Sequence, residues 1–256
     1  MSAPKNTLKS RLAKGETTFG CWLGMADPYA AEIAATAGFD WLLIDGEHAP
    51  NDTRSVLAQL QALAGYDVSP VVRLVDDDTA RIKQALDLGA QTLLVPMVES
   101  AEQARRILSA TRYPPEGVRG VGSALARASQ FAAIPDYLKT ADDEICLILQ
   151  VENRAGLEAL DDILSVEGID GIFIGPSDLA ADMGHRGNPG HPDVKAAVLD
   201  ALRRIRRAGL SAGVLSTDDQ MISECRDAGA NFVGVAIDVT LFAKALRDRA
   251  SAFRRA

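Results

Sequence analysis

Eight short apolar runs alternating with eight amphipathic stretches predict an α/β protein, a (β/α)8 barrel in which a parallel sheet closes on itself inside a ring of crossover helices. A recurring phrase supports this: a helix end, a glycine, then an apolar strand, as in TAGFDWLLID, DLGAQTLLVP, RAGLSAGVLS and DAGANFVGVAID. Each reads as a helix stopped by glycine at C′, followed by a strand buried on both faces. The third observation is an absence. No G-x-G-x-x-G follows the first strand, which removes the usual mark of an open dinucleotide-binding sheet. At 256 residues the chain has about the length one such barrel needs, so residues 1–256 read as a single domain.

The first strand is Thr18–Leu23, rich in bulky residues; the helix after it, Ala30–Ala37, opens near Pro28 and stops at Gly38. Trp41–Ile44 and Thr53–Leu63, closed by Gly65, make the second unit, and Pro70–Leu74 with Asp78–Leu88 and Gly89 the third. Thr92–Val95 and Ala101–Ser109 form the fourth, Ile145–Val151 and Leu157–Ile163 the fifth. Gly171–Ile174 leads to a long helix over Val194–Ala208 ended by Gly209. Ala212–Leu215 with Asp218–Asp227 and Gly229, then Phe232–Ala236 with Thr240–Arg249, complete the eight. Two insertions break the rhythm, Tyr113–Thr140 and Leu179–Asp193.

Composition narrows the function classes. With 47% hydrophobic and 24% charged residues the chain is an ordinary globular sequence. Its net charge of −8, from 27 basic and 35 acidic residues, argues against a nucleic-acid or membrane surface, which needs basic patches. Cys21, Cys146 and Cys225 are odd in number and lack C-x-x-C spacing, which disfavours a disulfide framework or a thiolate zinc site. The first residues carry no apolar signal core, and no run approaches the roughly 20 apolar residues of a membrane span. The expectation is a soluble, cytoplasmic protein.

In such a barrel the active site lies at the carboxyl ends of the strands, so the residues closing each run are informative. Asp45-Gly46-Glu47-His48 follow the second strand, Arg73 lies in the third, and Pro96-Met97 follow the fourth. Gln150-Val151-Glu152-Asn153 end the fifth and Gly175-Pro176-Ser177-Asp178 follow the sixth. The seventh offers only Leu215-Ser216, and the eighth ends at Asp238. Asp45 and Asp178 read two ways, as helix caps or as site residues. His48 reads as a solvated loop residue or as an acid/base. Arginine inside an apolar strand must find an anion. Gln150 and Glu152 occupy alternate positions and so share one side of their strand, near the mouth. Glu152 and Asp178, from neighbouring strands, suit a hard cation that keeps room for water and substrate.

Other chemistries fit less well. His185 and His191 stand in a Gly/Pro-rich loop without the spacing of a helical metal site, which favours a loop role over ligation. GVRGVG lacks the Walker spacing and a preceding strand. No lysine stands at a strand end for Schiff-base chemistry. Ser177 with His48 has no nucleophile elbow. Metal-assisted chemistry is the reading that survives.

The stretches WLLIDGEHAP, PVVRL, GAQTLLVPMVES with AEQARRILSATRYPPEGVRGVG, LILQVEN and IDGIFIGPSDLAADMG, in order between about Leu8 and Ala252, together resemble the HpcH/HpaI aldolase family. This is a group of class II, metal-dependent pyruvate aldolases that includes 4-hydroxy-2-oxoheptane-1,7-dioate and 2-keto-3-deoxy-glucarate aldolases. The resemblance implies a TIM barrel of the phosphoenolpyruvate/pyruvate type, its last helix swapped between subunits of a homo-hexamer built as a trimer of dimers. It implies reversible cleavage of 4-hydroxy-2-oxo acids to pyruvate and an aldehyde through a metal-stabilised enolate, in the catabolism of aromatic or sugar acids. Glu152 and Asp178 would be the ligands of Mg²⁺, Mn²⁺ or Co²⁺. Arg73 would contact the keto oxygen, Gln150 would lie beside the metal, and the backbone around Pro176 and Ser177 would hold the pyruvate carboxylate. His48, with Asp45 behind it and Glu47 in the same motif, would be the acid/base. Trp22 and Leu215 would line the aldehyde pocket, with the Leu125-Ala126 loop adding apolar surface.

Two other classes stand beside this one. The first is a carbon–carbon lyase acting on CoA thioesters, like the citrate lyase β-subunit, for which Arg119, Arg127 and Arg186 would supply cations at the mouth. The second is a non-catalytic metabolite-binding barrel, in which the metal pair or the His dyad should be degraded.

Overall fold

Strand parity explains how the chain closes. Along Trp41-Leu42-Leu43-Ile44-Asp45 successive side chains face opposite sides: Trp41 and Leu43 belong to the lumen cluster, Leu42 and Ile44 to the layer under the helices. The same alternation puts Val71, Cys146 and Ile148 inside and Val72, Leu147 and Leu149 outside. The computed structural model describes residues 1–254. Strands β1 (Thr18–Leu23), β2 (Trp41–Asp45), β3 (Ser69–Arg73), β4 (Thr92–Val95), β5 (Cys146–Val151), β6 (Gly171–Ile174), β7 (Ser211–Leu215) and β8 (Phe232–Ile237) form a closed barrel in sequence order. Every pair is parallel, including β8 with β1, so the expected (β/α)8 barrel is the observed one.

Among the described residues twelve α-helices accompany the strands. They are α1 (Thr7–Ala13), α2 (Pro28–Ala35), α3 (Thr53–Leu63), α4 (Thr79–Asp87), α5 (Ala101–Thr111), α6 (Tyr137–Thr140), α7 (Arg154–Glu158), α8 (Leu160–Leu164), α9 (Pro176–Asp182), α10 (Pro192–Arg207), α11 (Asp219–Asp227) and α12 (Asp238–Arg254). Carboxylates of Asp27, Asp52, Asp78 and Asp218 accept first-turn N–H groups of α2, α3, α4 and α11, which fixes where those helices start. Gly38, Gly89, Gly209 and Gly229 adopt φ of 87°, 99°, 84° and 108° at the helix ends; Gly65 does not share this conformation.

Three features depart from the expected rhythm. The fifth helix is broken at Ala159 into α7 and α8. The first insertion folds into a small satellite core of Tyr113, Ile134, Tyr137 and Ala141 with Ala3. Helices α1 and α9 are additional. Helix α1 closes the floor of the barrel: Leu8 and Leu12 join Trp41, Phe173 and Phe232 in the lumen cluster. Asn6, its N-cap, donates through Nδ2 to Thr92 Oγ1 and Glu144 O, while its backbone N–H donates to Glu144 Oε2. At the other end of the chain, α12 buries no residue and exposes Val239, Leu241, Phe242, Leu246 and Phe253. Among the described residues no helix is long and apolar enough to cross a membrane.

Candidate active site

The lumen changes character toward the carboxyl ends of the strands. Four aromatic rings, Trp22, Trp41, Phe173 and Phe232, pack within it at centroid distances of 4.2–6.1 Å. Above them the inward-facing positions become Asp45 on β2, Arg73 on β3 and Gln150 on β5, continuing the parity that placed Leu43, Val71 and Ile148 below. A cavity of about 810 Å³ opens there, lined among others by Trp22, Asp45, His48, Arg73, Gln150, Glu152, Pro176, Ser177, Asp178 and Leu215. The structure therefore gathers every one of these sequence-derived positions around one space.

Asp45 and Arg73 are register partners on adjacent strands. The guanidinium donates through Nε to Asp45 Oδ1 at 2.8 Å and through Nη2 to Oδ2 at 2.7 Å, a bidentate fork. Its Nη1 lies 2.7 Å from Glu47 Oε2. Asp45 also accepts the Glu47 and His48 backbone N–H groups. Burial pulls Asp45 upward, but the Arg73 hydrogen bond and charge outweigh it and leave its pKa below the usual carboxylate range. Burial dominates at Glu47, whose pKa is raised despite the Arg73 charge. Gly46 allows this close seam: its N–H donates to Arg73 O at 2.9 Å, and an added Cβ would lie 2.5 Å from that oxygen.

The helix-cap readings do not hold. The cap of α3 is Asp52, not Asp45, and Asp178 lies inside the first turn of α9 rather than at its cap. The pairing of Asp45 with the His48 imidazole also needs correction. The Asp45 carboxylate is held by Arg73, while the carboxylate facing the imidazole is Glu47, 3.9 Å from His48 Nε2. The ring itself is 64% exposed and borders the cavity.

Glu152 is 2% exposed and Gln150 3%. The Gln150 amide Nε2 donates to Glu152 Oε2, and the Met97 N–H donates to Oε1 at 3.0 Å. Met97 adopts φ of 57°, a left-handed conformation unusual for its residue type, and it is this turn after β4 that aims the N–H at Glu152. In the sequence Met97 marks only the end of a strand. Burial pushes the Glu152 pKa up to about 7, with the Glu47 and Asp178 charges adding to the rise. The buried Gln150 Oε1 has no hydrogen-bond partner. Glu152, Asp178 and the unpartnered Gln150 Oε1 line one cavity, and oxygen donors of this kind are the ones a hard divalent cation takes, so the residues fit such an ion. At Gly175 an added Cβ would come within 2.5 Å of Glu152 Oε2, so only glycine leaves that carboxylate its place.

Trp22 walls the other side, its ring centroid 5.8 Å from the Arg73 Cζ. Leu125 is 88% exposed, and neither it nor Ala126 lines the cavity. Arg119 is fully buried, bound to Asp87 and stacked on Tyr113. Arg127 donates to the Leu88 and Leu60 carbonyls. Neither of these arginines, nor Arg186, lines the mouth.

A closed parallel barrel whose carboxyl-end mouth collects acidic, basic and amide side chains around one cavity is the architecture of a barrel enzyme. The chain belongs to the HpcH/HpaI aldolase/citrate lyase family, which it matches over residues 18–245. It is 64% identical over 249 residues to a hydroxypyruvate/pyruvate aldolase of Deinococcus radiodurans, covering 97% of this chain and 90% of that protein. It is 54% identical over 248 residues to a 4-hydroxy-2-oxo-heptane-1,7-dioate aldolase of Klebsiella pneumoniae, covering 97% and 94%. The crystal structure of an HpcH/HpaI aldolase/citrate lyase family protein from Burkholderia cenocepacia superposes with a TM-score of 0.93 at 39% identity, covering 98% of this chain and all of that one.

Proposed function

We propose that the protein is a divalent-metal-dependent aldolase that reversibly cleaves 4-hydroxy-2-oxo acids to an aldehyde and pyruvate, or hydroxypyruvate. The observation that carries this reading is the convergence of a rigidly held arginine with Glu152, Asp178 and Gln150 on one cavity, in a chain whose relatives are aldolases. Glu152 and Asp178 would hold Mg²⁺, Mn²⁺ or Co²⁺, which supplies Lewis-acid polarisation of the 2-oxo acid when bound.

The chain's own residues account for the rest. Breaking the C3–C4 bond leaves its electron pair on the three-carbon fragment as an enolate, and the C4 hydroxyl proton must leave as the aldehyde forms. Two N–H groups of the Arg73 fork donate to Asp45 and its Nη1 is ion-paired with Glu47, so N–H donors among its five are left for the developing oxyanion. His48 takes the hydroxyl proton and returns it in the synthetic direction, with Glu47 as its neighbouring carboxylate. The backbone around Pro176 and Ser177 holds the donor carboxylate, and Trp22 and Leu215 wall the aldehyde. The buried or carbonyl-bound Arg119 and Arg127 supply no cation at the mouth for a CoA thioester. The bare apolar face of α12 supports exchange of that helix between subunits of a homo-hexamer. The test is pyruvate release from a 4-hydroxy-2-oxo acid with and without chelator. Metal-dependent release supports the reading, and turnover undiminished by chelation overturns it.

A further inference from the structure

Outside this site the most organised cluster of donor atoms is in the loop between α9 and α10. His185 and His191 stack there with centroids 3.5 Å apart and 13° between planes. His185 Nε2 and His191 Nδ1 each lie 3.8 Å from Asp193 Oδ2. One donor atom from each of the three residues falls within 4.8 Å of the others, and among the described residues no other group of three His, Cys, Asp or Glu does so. The sequence favoured plain loop roles for both histidines; the fold brings them face to face.

We propose that His185, His191 and Asp193 form a second metal site, at the rim of the cavity, for a borderline transition cation of the Zn²⁺, Ni²⁺ or Cu²⁺ type. Two imidazoles and one carboxylate select such ions, whereas an all-oxygen set favours Mg²⁺ or Mn²⁺. The two sites therefore sort cations by ligand softness. The loop arrives preorganised. His185 N–H donates to Ala180 O at 2.7 Å, Asn188 N–H to His185 O at 2.9 Å, and His191 N–H to Asn188 O at 3.1 Å. Gly184 and Gly187, at φ of 86° and 77°, make the turns that this folding-back requires. Both imidazoles are about two-thirds buried, at 28% and 31% exposure, while Asp193 is 71% exposed; an ion lies in the plane of each imidazole that binds it, so one ring turns out of the stack on ligation and the exposed carboxylate follows. The competitor for His191 Nδ1 is a long hydrogen bond from Asp193 N–H, 3.3 Å. Three protein ligands leave further coordination positions to water. Pro189 and Gly190, which lie between the ligands, also line the cavity, so an ion here clips together the loop that forms part of its wall.

The test uses untagged full-length protein carrying Glu152→Gln and Asp178→Asn, titrated with Cu²⁺ and read by electron paramagnetic resonance. One bound equivalent with splitting from two nitrogens is expected. His185→Ala, and His191→Asn, which keeps a capping side chain for α10, should each reduce the signal to one nitrogen. Each should also weaken binding by at least the about 10–100-fold typical for losing even an outer-shell partner. His48→Gln should leave the spectrum unchanged. Should the carboxylate variants not fold, wild-type protein saturated with Mg²⁺ serves the same purpose. Absence of a nitrogen-ligated equivalent, or an unchanged two-nitrogen spectrum in the His185→Ala/His191→Asn double variant, overturns the proposal.

Discussion

Asp45→Asn is expected to cost about 3–5 kcal/mol of stability, because it leaves a buried guanidinium without its charged partner. Asp45 is 4% and Arg73 6% exposed, so water cannot take over. The amide keeps the shape of the carboxylate but not its acceptors. Oδ1 must go on accepting Arg73 Nε and the Glu47 and His48 N–H groups, so the new NH₂ is driven against Arg73 Nη2, donor against donor. Glu47, 2.7 Å from Nη1, stays to pair the charge, which places the expected loss near the lower bound. For a chain of this length it corresponds to a fall in Tm of about 6–20 °C. The sign with pH follows from the depressed Asp45 pKa. The ionised carboxylate stabilises the fold fully above the unfolded-state value of about 3.9, and its contribution is lost as pH falls through the lower folded-state value. The Tm gap between wild type and variant should therefore be full near neutrality and narrow below about pH 4. A helix-capping aspartate would lose almost nothing on becoming asparagine, an equally good cap. Thermal melts of Asp45→Asn, Arg73→Met and the double variant across that range decide between them. A loss of about 1 kcal/mol or less, or strictly additive single losses, would refute the buried-pair argument.

Chelation with EDTA should abolish aldol cleavage and Mg²⁺ or Mn²⁺ should restore it; Glu152→Ala or Asp178→Ala should do the same irreversibly while the far-UV circular dichroism stays native. Arg73→Lys should depress pyruvate α-proton exchange and cleavage together, since an ammonium cannot span both Asp45 oxygens and still face the substrate; wild-type exchange rates would contradict this. Gly175→Ala should cut activity by displacing Glu152, with metal affinity, measured by titration calorimetry, falling in parallel. His48→Ala should slow cleavage by about 10²–10⁴-fold with metal affinity nearly intact, and a near-normal rate would remove His48 from the mechanism.

The barrel was legible because its signals are local. Period-two alternation in WLLID, VVR and LILQ marks which residues share a face, and the same counting carries Asp45, Arg73 and Gln150 to the mouth. What alternation cannot supply is register: that Asp45 sits beside Arg73 depends on how β2 and β3 align, and this reassigned Asp45 from His48 to the arginine. The Met97 contact to Glu152 rests on one φ angle of 57°, which no propensity of methionine announces. Helix α9 had a readable start in Pro176 at its first turn, yet its seven residues give too short a period to separate it from loop. The His185–His191 stack follows from loop closure through two left-handed glycines, and the sequence separation of the rings hides it.

The floor helix has a consequence for the order of events in folding. Helix α1 precedes every strand, yet its partners are distant: Lys9 Nζ donates to Ile145 O, 136 positions on, and Ser211 Oγ donates to Leu12 O across 199. Seven residues are too few to hold a helix in isolation. Its docking surface, the underside of the aromatic lumen, exists only once strands from both halves of the chain have met, and contacts of such separation form slowly. On a ribosome this segment would wait, unstructured, through the synthesis of nearly everything it will touch. It emerges early and docks late, and until it does the barrel is open to water from below.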